Sequence, residues 1–180
     1  MDERDSGAVR QDIYVSLGSN VDRGKNIRSS VRALREAFGD LTASPVYQTA
    51  AVGFDGDDFL NLALRFASTG GPREVQAILR SIEQQHGRQR HDERFAPRTL
   101  DIDLLLHGDL QIDQPNLRLP RLEITQYAFI LAPLADIAAD LIHPRLGVSI
   151  GQLWRQFCRQ NPGDVARVWK IPFSFETDSS

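Results

Sequence analysis

Asp101 and Asp103 alternate with apolar residues in the run Thr99-Leu100-Asp101-Ile102-Asp103-Leu104-Leu105-Leu106-His107. Side chains of an extended strand point to opposite faces with a period of two. Leu100, Ile102, Leu104 and Leu106 should therefore share one face, and the two aspartates the other. Carboxylates about 7 Å apart on one strand face repel each other unless a cation lies between them. Hard divalent ions such as Mg²⁺ prefer that all-oxygen setting and keep several waters. The spacing alone leaves two other readings open: a solvated strand face, or two aspartates paired with arginines. Arg88, Arg90, Arg94 and Arg98 all lie within fifteen residues upstream of the acids. They could simply neutralise them. Beside a divalent cation, however, arginine forks spread charge over phosphate oxygens during phosphoryl transfer. Loop and strand together read as a metal–phosphate site.

Other chemistry-bearing patterns are weaker. Gly18-Ser19-Asn20-Val21-Asp22-Arg23-Gly24-Lys25-Asn26 follows a strand and opens a helix, as a phosphate-binding P-loop would. It carries five residues between its glycines where that motif needs four, and it lacks the closing Ser/Thr hydroxyl. No Gly-x-Ser-x-Gly elbow, kinase signature or His-Glu-x-x-His motif is present. His86, His91, His107 and His143 are too scattered for a zinc site and read as solvated or capping histidines.

The elements that must position the acids follow from periodicity. Ile13–Leu17 is a short β-favouring run that ends in the Gly-Ser-Asn turn. Ile27, Val31, Leu34 and Phe38 mark one face of a helix over 26–38, stopped by Gly39. A β-type stretch covers 42–49, a polar loop Gly53–Asp58, and a strand Phe59–Ala67. Pro72 suits a first helical turn, Val75, Ile78, Leu79 and Ile82 form that helix's buried stripe, and Gly87 ends it. After the arginine loop and the acidic strand, Leu110–Leu119 could pair with that strand as a hairpin arm. Tyr127–Ala139 reads as a helix kinked or interrupted at Pro133, and Ile150, Leu153, Trp154, Phe157 and Cys158 mark a last amphipathic helix. Cys158 lies on its apolar stripe as a packed thiol. The order strand, helix, strand, strand, helix, strand predicts an α+β fold, a ferredoxin-like split β-α-β arrangement. Its sheet should be mainly antiparallel, with helices packed on it in three α/β/α layers.

Composition bounds the rest. A chain of 180 residues, 41% hydrophobic and 25% charged, supports a single globular domain over 1–180, with tails at 1–12 and 176–180. Its net charge of −3 provides no basic excess for nucleic acid or anionic lipid. One cysteine excludes an internal disulfide and suits a reducing compartment. The absence of a long apolar run or of a signal-like N-terminus points to a cytoplasmic protein without a membrane span. Of 21 basic residues, 19 are arginine, which reflects either genomic composition or forks that grip phosphate or carboxylate.

Several segments, in order, resemble a known family: Leu17-Gly18-Ser19-Asn20, Val46-Tyr47-Gln48-Thr49, Phe59-Leu60-Asn61, the Gly87–Asp103 stretch ending Pro97-Arg98-Thr99-Leu100-Asp101-Ile102-Asp103, and Ala128–Leu134. The chain is similar from about Ile13 to Pro144 to the 6-hydroxymethyl-7,8-dihydropterin pyrophosphokinases of folate biosynthesis. That resemblance implies transfer of a whole pyrophosphate from ATP to the pterin hydroxymethyl group, releasing AMP. It implies that Asp101 and Asp103 hold two Mg²⁺ ions, that Arg88 and Arg98 stabilise charge on the transferring phosphates, and that Arg90, Leu104 and Arg118 lie on the nucleotide side. Glu83 matches a nucleotide-contacting acid, with an exposed helix acid as the plainer reading. Thr49, Ala50 and Val52 would line the pterin, and Asn61 would read its polar edge. Phe59, Phe95 and Phe129 would sandwich or flank the ring, or else pack in the core. Gly53–Asp58 and His91–Ala96 match loops that close over substrates. The expected partners are the two small substrates alone, with no nucleic acid and no membrane. The expected state is a monomer, functionally linked to dihydropteroate synthase.

The chain departs from the family pattern at identifiable places. Phe95-Ala96 replace a tryptophan-glycine pair, Arg121 with Leu122 stands where a phosphate-contacting histidine is usual, Tyr127 replaces an arginine, and Ala50 replaces a proline. Arginine can replace the charge but not a proton-switching imidazole. Either Arg121 and Arg118 re-cover the triphosphate, or affinity or substrate has shifted. The alternatives are a paralogue acting on another heterocyclic alcohol and a non-catalytic pterin- or nucleotide-binding module.

Overall fold

Strand β1 (Gln11–Ser19) is the axis of the sheet, flanked by β5 (Asp101–His107) on one side and β4 (Phe59–Ser68) on the other, both antiparallel to it. The computed structural model describes residues 9–50, 57–87 and 99–176. Among these, six strands form one sheet: β5, β1, β4, β3 (Val46–Thr49) and β8 (Val168–Ile171) in that order, with β2 (Thr42–Ala43) also on β4. The expected 42–49 stretch is two strands, β2 (Thr42–Ala43) and β3 (Val46–Thr49). Pro45 has no N–H for the ladder, and the Ser44 hydroxyl fills the break by accepting from Ala63 N at 2.9 Å.

Two layers of helix cover the sheet. Helices α1 (Arg23–Phe38) and α2 (Pro72–Gln85) pack on one face, over Val15, Leu17, Leu62, Leu64, Ile102 and Leu104. Gly39 stops α1 with φ 84°, and Pro72 opens α2. The opposite face carries Tyr14 and Ala63 under α3 (Ala128–Ala138), with α4 (Ile150–Gln160) outside it. This is the split β-α-β, three-layer arrangement expected. α3 is apolar nearly all round because it lies between sheet and α4. It runs through Pro133 without interruption.

Four expectations need correction. Leu110–Leu119 does not pair with the acidic strand: β6 (Ile112–Gln114) and β7 (Leu117–Leu119) form their own two-stranded sheet. Leu106 does not share a face with Leu100, Ile102 and Leu104. Val15 pairs with Leu104 and Tyr14 with Leu106, so Leu105 is an extra, bulged residue and Leu106 joins the opposite core. Gln11 and Asp12, expected in the N-terminal tail, lie in β1, and Asp12 pairs with Arg65 at 2.9 Å. His107 and His143 are buried, at 4% exposure each, rather than solvated; His143 does cap a turn, through Nδ1. A short helix α5 (Pro162–Val165) and a last strand β8 (Val168–Ile171), paired with β3, complete the fold.

Candidate active site

The β1 register sets the site. Asp101 pairs with Gly18 and Asp103 with Ser16 on one side of β1, while Gly18 pairs with Asn61 and Ser16 with Ala63 on the other. Direct partners in a sheet share a face. Asp101, Gly18 and Asn61 therefore form one row across three strands, and Asp103, Ser16 and Ala63 the next. Both rows lie on the face that α3 covers. Two strand spacings separate the acid row end from the amide, about 10 Å. The aspartates are half-buried while Ile102 and Leu104 between and beyond them are in the core, so the alternation read from sequence holds over this stretch.

Asn61 is buried and its amide donates to Thr49 Oγ1 at 3.0 Å, so the two expected pterin residues lock each other. Gly18 lies directly beside that amide: a Cβ there would be 2.9 Å from Asn61 Oδ1. Phe59 pairs with Thr49 and is half-buried, and Ala50 follows at the end of β3. Tyr47 pairs with Asn61 on its other flank and donates its phenol to Asp136 Oδ2 on α3 at 2.5 Å. Burial, then the Asp136 hydrogen bond and charge, push that phenol well above its ordinary pKa, so it stays a neutral donor. Phe129, at the start of α3, stacks on Tyr127 with ring centroids 5.1 Å apart. The tyrosine that replaces the family's arginine thus becomes an aromatic partner of an expected ring-binding residue.

A second compartment opens along the outer edge of β5. It is a cleft of about 800 Å³ between α2, the β6–β7 hairpin and the segment 121–123, and its lining includes Glu83, Asp103, Leu104, Arg118 and Arg121. Glu83 is 6% exposed, which overturns its reading as an exposed helix acid; its Oε1 accepts from Ile102 N at 2.7 Å. It thereby satisfies an outward amide of an edge strand. Farther along the same edge, Arg121 N donates to Leu105 O at 3.0 Å. Arg121 Nη2 lies 3.2 Å from Asp103 Oδ1, so one expected nucleotide residue grips one expected metal ligand. Arg118 pairs with Asp113 at 2.8 Å on the exposed rim. Arg88, Arg90, Arg94, Arg98, Phe95, Ala96 and Val52, with the rest of the two expected closing loops except Asp57 and Asp58, lie outside the described residues.

The acids fit a divalent cation of one kind. Among the described residues no group of three or more His, Cys, Asp or Glu could cage a metal. Two half-buried carboxylates on one strand face suit instead an ion that keeps its waters and takes its remaining oxygens from a substrate phosphate, as Mg²⁺ does.

Residues whose importance the sequence reading missed lie between the end of β1 and the start of α1. Ser19 is fully buried, and its hydroxyl reaches Thr99 O at 2.5 Å, tying the end of β1 to the entry of β5. Asn20 Nδ2 donates to Asp57 O at 3.3 Å and Arg23 to Asp58 O at 2.8 Å. The Gly-Ser-Asn segment is legible as a turn and as part of the family resemblance, but neither reports these long-range backbone contacts.

Comparison with known proteins matches residues 14–139 to the family model described as 7,8-dihydro-6-hydroxymethylpterin-pyrophosphokinase. A 2-amino-4-hydroxy-6-hydroxymethyldihydropteridine pyrophosphokinase of a Synechocystis strain is 33% identical over 91% of this chain and 85% of its own length. The Pseudomonas aeruginosa protein of the same name is 37% identical over 74% of this chain and 85% of its own. A folate synthesis bifunctional protein of Arabidopsis thaliana is 33% identical, the chain spanning 25% of it. Among solved structures, a Plasmodium falciparum HPPK-DHPS crystallised with pterin and p-hydroxybenzoate superposes with a TM-score of 0.73 over 92% of this chain and 47% of that one. At 13% identity that likeness concerns the fold alone, and the chain spans about half of the matched structure. With the family model matching well over half its length and relatives above 30% identity covered for most of theirs, the chain belongs to the 7,8-dihydro-6-hydroxymethylpterin-pyrophosphokinase family.

Proposed function

We propose that this chain transfers pyrophosphate from ATP to 6-hydroxymethyl-7,8-dihydropterin, giving AMP and the pterin diphosphate. The observation that carries the reading is the row Asp101–Gly18–Asn61, which sets a hydrogen-bonding amide and an acid on one sheet face about two strand spacings apart. Such a gap accommodates a flat heterocycle held at its polar edge, with its hydroxymethyl arm directed at phosphates lying over the acids. Asn61, fixed by Thr49, orients the ring; Phe59 and the Phe129–Tyr127 stack offer it aromatic surface. The β5-edge cleft takes the nucleotide, with Leu104 in its wall and Arg118 and Arg121 at its phosphate end. Asp101 and Asp103 hold two Mg²⁺ ions, and Arg88, Arg90 and Arg98 complete the charge around the phosphates. Bound Mg²⁺ supplies charge neutralisation at the phosphate oxygens.

The chain's own contribution is chiefly positioning. Holding hydroxymethyl oxygen and β-phosphorus in line turns a bimolecular encounter into a local step. Strand backbone sets the positions of both rows before substrates arrive. The changed Phe95-Ala96 and Arg121-Leu122 pairs, with Tyr127 stacked on Phe129 beside the ring site, favour a second reading in which the same transfer acts on a related heterocyclic alcohol. A functional link to dihydropteroate synthase is consistent with relatives named as bifunctional folate synthesis proteins.

The test is incubation with ATP, Mg²⁺ and 6-hydroxymethyl-7,8-dihydropterin. AMP should form only when the pterin is present. AMP formation with a different heterocyclic alcohol but not with this pterin favours the second reading; no pterin-dependent AMP contradicts the first.

A further inference from the structure

Arg121 joins the two compartments. Its backbone is fixed to the bulged edge of β5 through Leu105 O, and its guanidinium turns back to Asp103, with Nε 3.4 Å from Glu123 Oε2. The three side chains are each about a third exposed, at 32%, 28% and 32% for Arg121, Asp103 and Glu123. Arg121 Nε is buried and makes no hydrogen bond among the described residues. That nitrogen faces the Glu123 carboxylate, so the guanidinium lies between two acids, with its Nη2 on Asp103. Asp103 Oδ1, meanwhile, cannot turn fully to a cation while Arg121 holds it.

We infer that Arg121 is an exchangeable counter-ion: it neutralises Asp103 in the ligand-free chain, and a bound nucleoside triphosphate draws the guanidinium away, releasing Asp103 to a divalent cation. The inference rests on the metal–triphosphate reading of this site. Charge balances in both arrangements. Without ligand the cation offsets carboxylates; with ligand it faces phosphate while the metal takes its place at Asp103. Glu123 keeps the freed arginine on the cleft side. Because triphosphate and metal favour the same arrangement, each strengthens the other's binding beyond their direct attraction.

The experiment titrates Mn²⁺, followed as free ion by electron paramagnetic resonance, into nucleotide-free protein. Arg121→Gln and Arg121→Met remove the guanidinium, and Met keeps the apolar stem. Arg80→Gln removes a charge from the same cleft and leaves the Arg121–Asp103 pair in place. Circular dichroism identifies any variant that does not fold, and the other then carries the comparison. Loss of Arg121 should tighten Mn²⁺ binding about three- to tenfold, the scale of a partly buried ion pair. Arg80→Gln should change it less than about twofold, as a screened charge does. Binding of a non-hydrolysable ATP analogue should weaken in the Arg121 variants. Unchanged or weaker Mn²⁺ binding in those variants overturns the exchange, as does an equal gain in Arg80→Gln. AMP formation measured in parallel separates the two ideas. Pterin-dependent AMP with no Mn²⁺ shift refutes the counter-ion role alone, whereas a Mn²⁺ shift without AMP refutes the pyrophosphokinase reading alone.

Discussion

Gly18 and Asn61 are cross-strand partners whose close approach leaves no room for a methyl group: a Cβ on Gly18 would stand 2.9 Å from Asn61 Oδ1. Asn61 cannot swing aside freely, because its Nδ2 is bonded to Thr49 and the residue is buried. Glycine in the middle of the row is thus what lets the Asn61 amide lie against the β1 backbone.

Gly18→Ala should displace the Asn61 amide at a stability cost of about 1–3 kcal/mol. The functional effect falls on one substrate. KM for the pterin should rise about tenfold or more, equivalent to about 1.4 kcal/mol of lost binding, while KM for ATP changes far less. Steady-state kinetics with each substrate varied in turn decide it; equal effects on both would show that Asn61 does not face the pterin.

Asp103→Ala should abolish turnover and leave the fold intact. The carboxylate is partly exposed and its pair with Arg121 is worth no more than about 1 kcal/mol to stability. Urea unfolding alongside the AMP assay separates the two effects. A large stability loss would mean that the acid is structural.

Glu83 combines a backbone role with its place in the cleft wall. Glu83→Ala leaves Ile102 N without its acceptor and should cost about 1–3 kcal/mol. Glu83→Gln keeps an oxygen at that position and should retain most of the stability. Denaturation midpoints for the pair test this directly, and equal loss in both would refute the edge-capping role.

Much of this arrangement was legible in the sequence, because it rests on short-range rules. Alternation in Leu100–Leu104 placed the two aspartates on one face, Gly39 and Pro72 punctuated the helices, and the element order implied the split β-α-β sheet. Long-range relationships were not legible. Nothing local marks Leu105 as a bulge, so simple alternation puts Leu106 on the wrong face. The β6–β7 hairpin closes on itself because two short strands with a tight connection satisfy each other, and only packing shows that β5 is left as an edge. That edge in turn explains Glu83 and Arg121, whose partners, Ile102 N and Leu105 O, are backbone atoms that no side-chain motif reports.

His143 gives the fold an acid-sensitive turn. Its Nδ1 accepts from Arg145 N and Leu146 N, each at 3.3 Å, which requires the unprotonated nitrogen. Burial, reinforced by the Arg145 charge and opposed by a backbone hydrogen bond, lowers its pKa below the ordinary 6.5. The unfolded chain therefore binds the proton more readily. This contribution to stability is present in full above about pH 6.5 and is lost as pH falls toward the lowered folded value. Urea midpoints measured from pH 7.5 to 5 should decline more steeply for the wild type than for His143→Asn. Parallel profiles would contradict the assignment.

Both terminal phosphates of ATP should move together. With ATP labelled at the γ-phosphorus and 6-hydroxymethyl-7,8-dihydropterin as acceptor, the label should appear in the pterin product, with one unlabelled AMP formed per labelled pterin. Label released as inorganic phosphate with ADP, or a singly phosphorylated pterin, would contradict it.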